Sequence, residues 1–133
     1  MKRALDILLF ASVEFAVLCY ALWSGFWGVW VATPWGSLEH ADTYTFIASS
    51  LPEWAWGVVF VSLAVLKLWT LLYARSRGLQ VLSNSALTFA WAVVAIGAAV
   101  SSPGGMGVVV YGGLAAFGFV VALRRLTDRR SVG

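Results

Sequence analysis

The chain has 133 residues, 61% of them hydrophobic and 11% charged, with a net charge of +3 and a mean hydropathy of +0.85. Soluble domains run nearer ~45 to 50% apolar and ~25% charged, so this balance excludes a disordered chain, a soluble enzyme and a nucleic-acid module, and predicts an integral membrane protein. At about 20 apolar residues per crossing, the length holds one domain of four or five helices with no sizeable soluble head. The single cysteine, Cys19, provides neither a disulfide framework nor a Cys-based metal site.

The first apolar run covers residues 7–31 and is interrupted by Glu14 alone. It is long enough to span with tilt. Met1-Lys2-Arg3 resembles the start of a signal peptide, but Asp6, Glu14 and the length of the run predict an uncleaved span. The connection from Ala32 to Leu51 follows, carrying Glu39, His40 and Asp42. Its Ala41, Tyr44, Ala48 and Leu51 fall at helical spacing, which fits either a short interfacial helix or a solvated loop. One histidine and two carboxylates in a short loop fall short of a metal site, and no nucleophile elbow is present. No cofactor and no catalysis are predicted.

Ser50-Leu51-Pro52-Glu53 reads as a helix start, with Ser50 and Glu53 at capping-box spacing and Pro52 in the first turn. The second span therefore covers residues 54–74, and Arg75-Ser76-Arg77-Gly78 makes a basic turn. The third span covers residues 81–100 and stops at Ser101-Ser102-Pro103-Gly104-Gly105; the fourth covers residues 106–123 and leads into a basic tail, residues 124–133. The predicted architecture is an all-α, four-helix membrane bundle.

With four spans, Lys2, Arg3, Arg75, Arg77, Arg124, Arg125, Arg129 and Arg130 fall at one side, while Glu39, Asp42 and Glu53 fall at the other. The positive-inside rule then places both termini in the cytoplasm, with the basic groups against lipid headgroups. Trp27, Trp30, Trp35, Trp54 and Trp56 gather at the outer ends of the first two spans, as interfacial anchors do. Pro52, Glu53, Trp54, Trp56 and Gly57 together form the outer anchor of the second span.

Glu14 and Lys67 are the two charges inside spans, each costing ~2.5 to 3.5 kcal/mol on insertion scales. Each lies eight residues from a charged boundary, Asp6 or Arg75, so both sit ~12 Å deep and an interhelical pair is expected. Such a pair serves either as a registration device or as an ion relay; the alternative to a pair is Lys67 snorkelling inward with Glu14 protonated. Small residues four apart recur at Ser24 and Gly28, Ala86 and Ala90, Ala95 and Ala99, and Gly112 and Ala116. They allow close helix approach within one chain or between copies.

Residues 44–57, Tyr-Thr-Phe-Ile-Ala-Ser-Ser-Leu-Pro-Glu-Trp-Ala-Trp-Gly, followed by the basic turn and by Ser102-Pro103-Gly104-Gly105-Met106-Gly107 with Tyr111, resemble small four-helix membrane proteins of tailed phages and prophages. The Pro-Glu-Trp-x-Trp-Gly core is the most specific part. The resemblance runs from about Tyr44 to Arg125 and implies an origin and a location, with a holin-like role in some members. The expected function is assembly in the host inner membrane, with the bilayer and either further copies or another membrane protein as partners. The alternatives are a virion or superinfection-exclusion protein that binds through residues 35–44, and an ion carrier built on Glu14 and Lys67.

Overall fold

The computed structural model describes the backbone of residues 2–33, 45–73 and 76–127, and the side chains of residues 15–33, 45–73 and 76–127. All described elements are helices: α1 (Lys2–Ala32), α2 (Thr45–Ser50), α3 (Glu53–Leu72), α4 (Arg77–Ser101) and α5 (Met106–Thr127). Four of them, α1, α3, α4 and α5, are long and apolar enough to cross a membrane. Their outward faces carry Phe15, Phe26, Val65, Leu82, Phe89, Ile96 and Val109, all exposed. A soluble monomer rarely presents an apolar surface so continuous; hydrocarbon accepts it.

The helix boundaries follow local chemistry. α1 stops just before Thr33-Pro34, where the proline disfavours helical backbone in the residue ahead of it. The Thr33 hydroxyl donates to the Trp30 carbonyl at 2.7 Å, satisfying one of the last acceptors. α4 ends where the Ser102 amide donates to Ala98 O at 2.8 Å, and the Gly105 amide then donates to Ser102 O at 3.0 Å across the Pro103-Gly104 turn. No described glycine has positive φ, so that turn uses glycine for its small size: a Cβ on Gly105 would lie 3.0 Å from Ser102 Oγ.

Several boundaries differ from the sequence expectation. Ser50 belongs to α2 and its hydroxyl turns back to Ile47 O at 2.8 Å, so the expected Ser50–Glu53 capping box does not form. Pro52 occupies the N-cap position itself, and its carbonyl receives the Ala55 and Trp56 amides at 3.0 and 3.3 Å. The third span starts four residues earlier than expected, because Arg77 and Gly78 form the first turn of α4 rather than part of a loop. α3 ends at Leu72, ahead of the expected Ala74.

α1 packs most closely with α3, and α4 with α5. Across the first pair the backbones nearly touch: a Cβ on Gly28 would lie 3.0 Å from Gly57 O, and one on Gly25 would lie 3.2 Å from Ala64 Cβ. In the second pair the Asn84 side-chain amide donates to Gly118 O at 2.6 Å. The two hairpins meet across a wider seam that larger side chains fill, chiefly Tyr20, Trp27, Phe60, Leu87, Trp91 and Tyr111. Small residues thus build each pair, and rings join the pairs.

Candidate functional site

Fully buried polar side chains concentrate in one half of the bundle. Lys67 and Thr70 on α3, Ser83 and Asn84 on α4, and Ser24 on α1 are all within about a percent of complete burial. Lys67 Nζ donates to Gln80 O at 3.3 Å. The Thr70 hydroxyl bonds Lys67 O at 2.9 Å and shares a hydrogen bond with Ser83 Oγ at 3.0 Å. Ser83 Oγ also donates to Gln80 O at 3.1 Å. The first turn of α4 and the last turn of α3 are therefore tied by side-chain hydroxyls and one ammonium group.

The polar line continues inward along α4. Thr88 Oγ1 donates to Asn84 O at 2.7 Å, and Trp91 Nε1 donates to Ser24 Oγ at 2.9 Å, which in turn donates to Tyr20 O at 2.8 Å. Gly118 makes room at this level: a Cβ there would collide with Thr88 Oγ1 and lie 2.7 Å from the Tyr20 hydroxyl. Gln80, Asn84 and Thr88 stand four residues apart, one face of a helix, with Ser83 beside them. Sequence reasoning missed this stripe because single polar residues in an apolar run look incidental. The i, i+4, i+8 recurrence was the available signal.

Above the polar half lies an aromatic cross-section with one ring from each long helix. Trp27, Phe60, Trp91 and Tyr111 come from α1, α3, α4 and α5 respectively. Centroids are 4.7 Å apart for Trp27–Phe60, 4.8 Å for Phe60–Trp91, 5.3 Å for Trp27–Trp91 and 5.6 Å for Trp91–Tyr111. Beyond it the buried side chains are apolar: Val31, Ile47, Val94 and Ala98.

The expected outer anchor divides into inward and outward parts. Trp54 is 65% exposed, but Trp56 is 7% exposed and donates its indole N–H to Ile47 O at 3.1 Å. Trp56 is thus a core residue holding α2, and Trp27 is likewise in the core, while Trp30 faces outward. Gly57 meets α1 and Trp56 meets α2, and Trp54, two positions before Trp56, falls on the opposite side of the helix. α2 closes this end of the bundle. Its buried residue is Ile47, set against Gly97, where a Cβ would lie 2.6 Å from Ile47 Cγ1; Leu51, expected on the apolar face of a short interfacial helix, lies beyond α2 and is exposed.

The small-residue pairs also separate. Ser24 and Gly28 are buried inside the bundle, Ala95 is partly buried against the core, and Ala99 is partly buried. On α5, Gly112 and Gly113 have open space where a Cβ would sit, and Ala116 is exposed. Arg77 corrects a further expectation. Its guanidinium donates from Nε to Arg125 O at 2.7 Å and from a terminal nitrogen to Leu126 O. It therefore caps the carbonyl end of α5 instead of reaching for headgroups. Arg124 and Arg125 occupy the last turn of α5. The side chain of Glu14, and residues Trp35, Glu39, His40, Ala41, Asp42, Tyr44, Arg75, Arg129 and Arg130, lie outside the described residues. No family profile, curated protein or solved structure matches the chain.

Proposed function

We propose that the chain is a small, non-enzymatic protein of the bacterial inner membrane, of the phage-encoded type, that acts by assembling with further copies of itself and permeabilising the bilayer in a holin-like manner. The observation that carries this reading is the outward face of α5. The glycines of α1 and α3 are occupied by internal packing, with each hypothetical Cβ at Gly28 or Gly57 meeting atoms within 3.0 Å. Gly112, Gly113 and Ala116 present the same small-residue geometry with nothing against it, on the least buried of the four long helices. In lipid such a surface lets a second helix approach closely enough for dispersion and weak hydrogen bonds to drive association.

The charge distribution supports the orientation with both termini cytoplasmic. Arg77 and Arg125 meet at one end of the bundle, so the basic residues of the α3–α4 connection and of the C-terminal tail share a side, as the positive-inside rule requires of a cytoplasmic face. The basic tail there would rest on anionic headgroups.

The test is inducible expression of the intact chain in a bacterial host with a voltage-sensitive dye, beside a Gly113→Leu, Ala116→Leu variant. Abrupt depolarisation by the parent and at least tenfold slower onset in the variant is the expected result. Stable accumulation of the parent at unchanged potential overturns permeabilisation. Depolarisation that the variant retains in full removes α5 as the assembly face.

A further inference from the structure

The core of the bundle is polar on one side of the aromatic cross-section and apolar on the other. Lys67, Thr70, Ser83, Asn84 and Ser24 are the polar side chains fully buried among the described residues, and none lies beyond the level of Trp91, to which Ser24 is bonded. This half lies toward the end of the molecule that carries the α3–α4 turn, where Lys67 Nζ donates to Gln80 O at 3.3 Å. A core that needs only to be packed gains nothing from such asymmetry, since each buried polar group in a membrane costs free energy unless it is satisfied.

Two buried polar atoms of this half make no hydrogen bond of good geometry: Asn84 Oδ1, and the Tyr20 hydroxyl, which lies beside Thr88. Both side chains border Gly118: Asn84 donates to its carbonyl and Tyr20 abuts its Cα face. A carbonyl oxygen is an acceptor and a phenol a donor or an acceptor, so a molecule that both donates and accepts answers the two together. Water is the smallest such molecule, and buried waters characteristically take two to four polar partners of this kind.

We propose that the seam between the two hairpins is a one-sided hydration path: water enters from the face carrying the α3–α4 turn, follows Gln80, Ser83 and Thr88 along α4, binds at Asn84 Oδ1 and the Tyr20 hydroxyl, and is stopped by the Trp27, Phe60, Trp91 and Tyr111 rings. Along that route the Ser83 and Thr88 hydroxyls donate to Gln80 O and Asn84 O, and their oxygens keep lone pairs that accept. The four rings leave the other half dry. The path belongs to the single chain and is independent of the self-assembly reading.

Thiol alkylation reads this directly, because maleimides react with the hydrated thiolate. The background is Cys19→Ala, since Cys19 is exposed on the lipid-facing surface. Single cysteines at Ser83, Asn84 and Thr88 test the polar half; Val94→Cys and Ala98→Cys test the far half. Each variant is reconstituted in vesicles and treated with a membrane-impermeant maleimide from one face and then the other, with folded bundles selected by size exclusion. The conservative Ser83→Cys and Thr88→Cys keep the test decisive if Asn84→Cys fails to fold. The expected result is labelling at 83, 84 and 88 from the α3–α4 turn face alone, at least tenfold faster than at 94 and 98. Silence at 83 and 88 from both faces overturns the path. Labelling from the opposite face, or equal labelling at 94, overturns the aromatic seal.

Discussion

A methyl group on Gly57 would lie 2.6 Å from Ala32 Cβ and 2.7 Å from Gly28 O. The second atom is backbone, so relief requires moving α1 away from α3 along the crossing. Gly57→Ala should therefore destabilise the bundle by about 1 to 3 kcal/mol, the usual range for overpacking, as measured by denaturant titration in detergent micelles. Gly113→Ala is the matched control. Open space receives its methyl group, and alanine is the better helix former by up to about 1 kcal/mol, so stability should hold or rise. Equal effects at the two positions would mean that the α1–α3 crossing is looser than described. The contrast also shows what residue spacing reveals. Ser24 and Gly28, and Gly112 and Ala116, have the same spacing, and spacing identifies a face capable of close approach. Which partner fills that face depends on the rotation of each helix about its axis, and that is set by the bulky residues between: Trp27 and Tyr20 turn α1 toward the seam, and no comparably large set turns the glycines of α5 inward.

At the scale of elements, four apolar runs and their breakers were legible because hydropathy and the proline and glycine positions act locally. The C-terminal end of α5 was not, because its carbonyls are satisfied by a residue distant in sequence. That residue is Arg77. It lies 48 residues from Arg125, to whose carbonyl it donates, and in sequence it is indistinguishable from a headgroup-binding arginine. Removing it strands the last carbonyls of α5. Hydrogen bonds from charged donors are worth ~1.5 to 3 kcal/mol when well desolvated; this side chain is only half-buried, which reduces the expected cost of Arg77→Ala to about 1 kcal/mol. Hydrogen exchange in the final turn of α5 should then accelerate about fivefold, with amides around Asn84 unaffected. Arg77→Lys should fall between, since an ammonium lacks the fork that spans two carbonyls. Unchanged exchange in both variants would remove the cap. A short helix in this connection was one of the two readings offered by spacing, but the buried face of α2 was not legible: six residues carry too little periodicity to define one, and Ile47 is buried only because Gly97 leaves room for it.

For the molecule as a whole, the remaining question is how a cation in the core is tolerated, and the register of the helices bears on it. Ser24 on α1 bonds Trp91 on α4, and Tyr20 and Thr88 both adjoin Gly118, so these two helices run in parallel with corresponding positions 67 or 68 residues apart. Extending that register by about three turns sets the backbone of Glu14 level with Val81, beside the Gln80 carbonyl that receives Lys67 Nζ. We expect the pair to act as a registration device between the hairpins. Lys67→Glu alone then places two carboxylates at one level of a low-dielectric core, and Glu14→Lys alone places two ammonium groups there; either should cost 3 kcal/mol or more, about the penalty for breaking a buried pair, and most of the folded protein. The exchanged double variant, Glu14→Lys with Lys67→Glu, restores opposite charges and should recover at least half of the parental accumulation and melting temperature. A double variant no better than the worse single one would show that the two charges do not act on each other. Recovery of folding with complete loss of any membrane phenotype would instead give the pair a role in moving protons or ions, because a packing device is indifferent to which helix carries which sign and a relay is not.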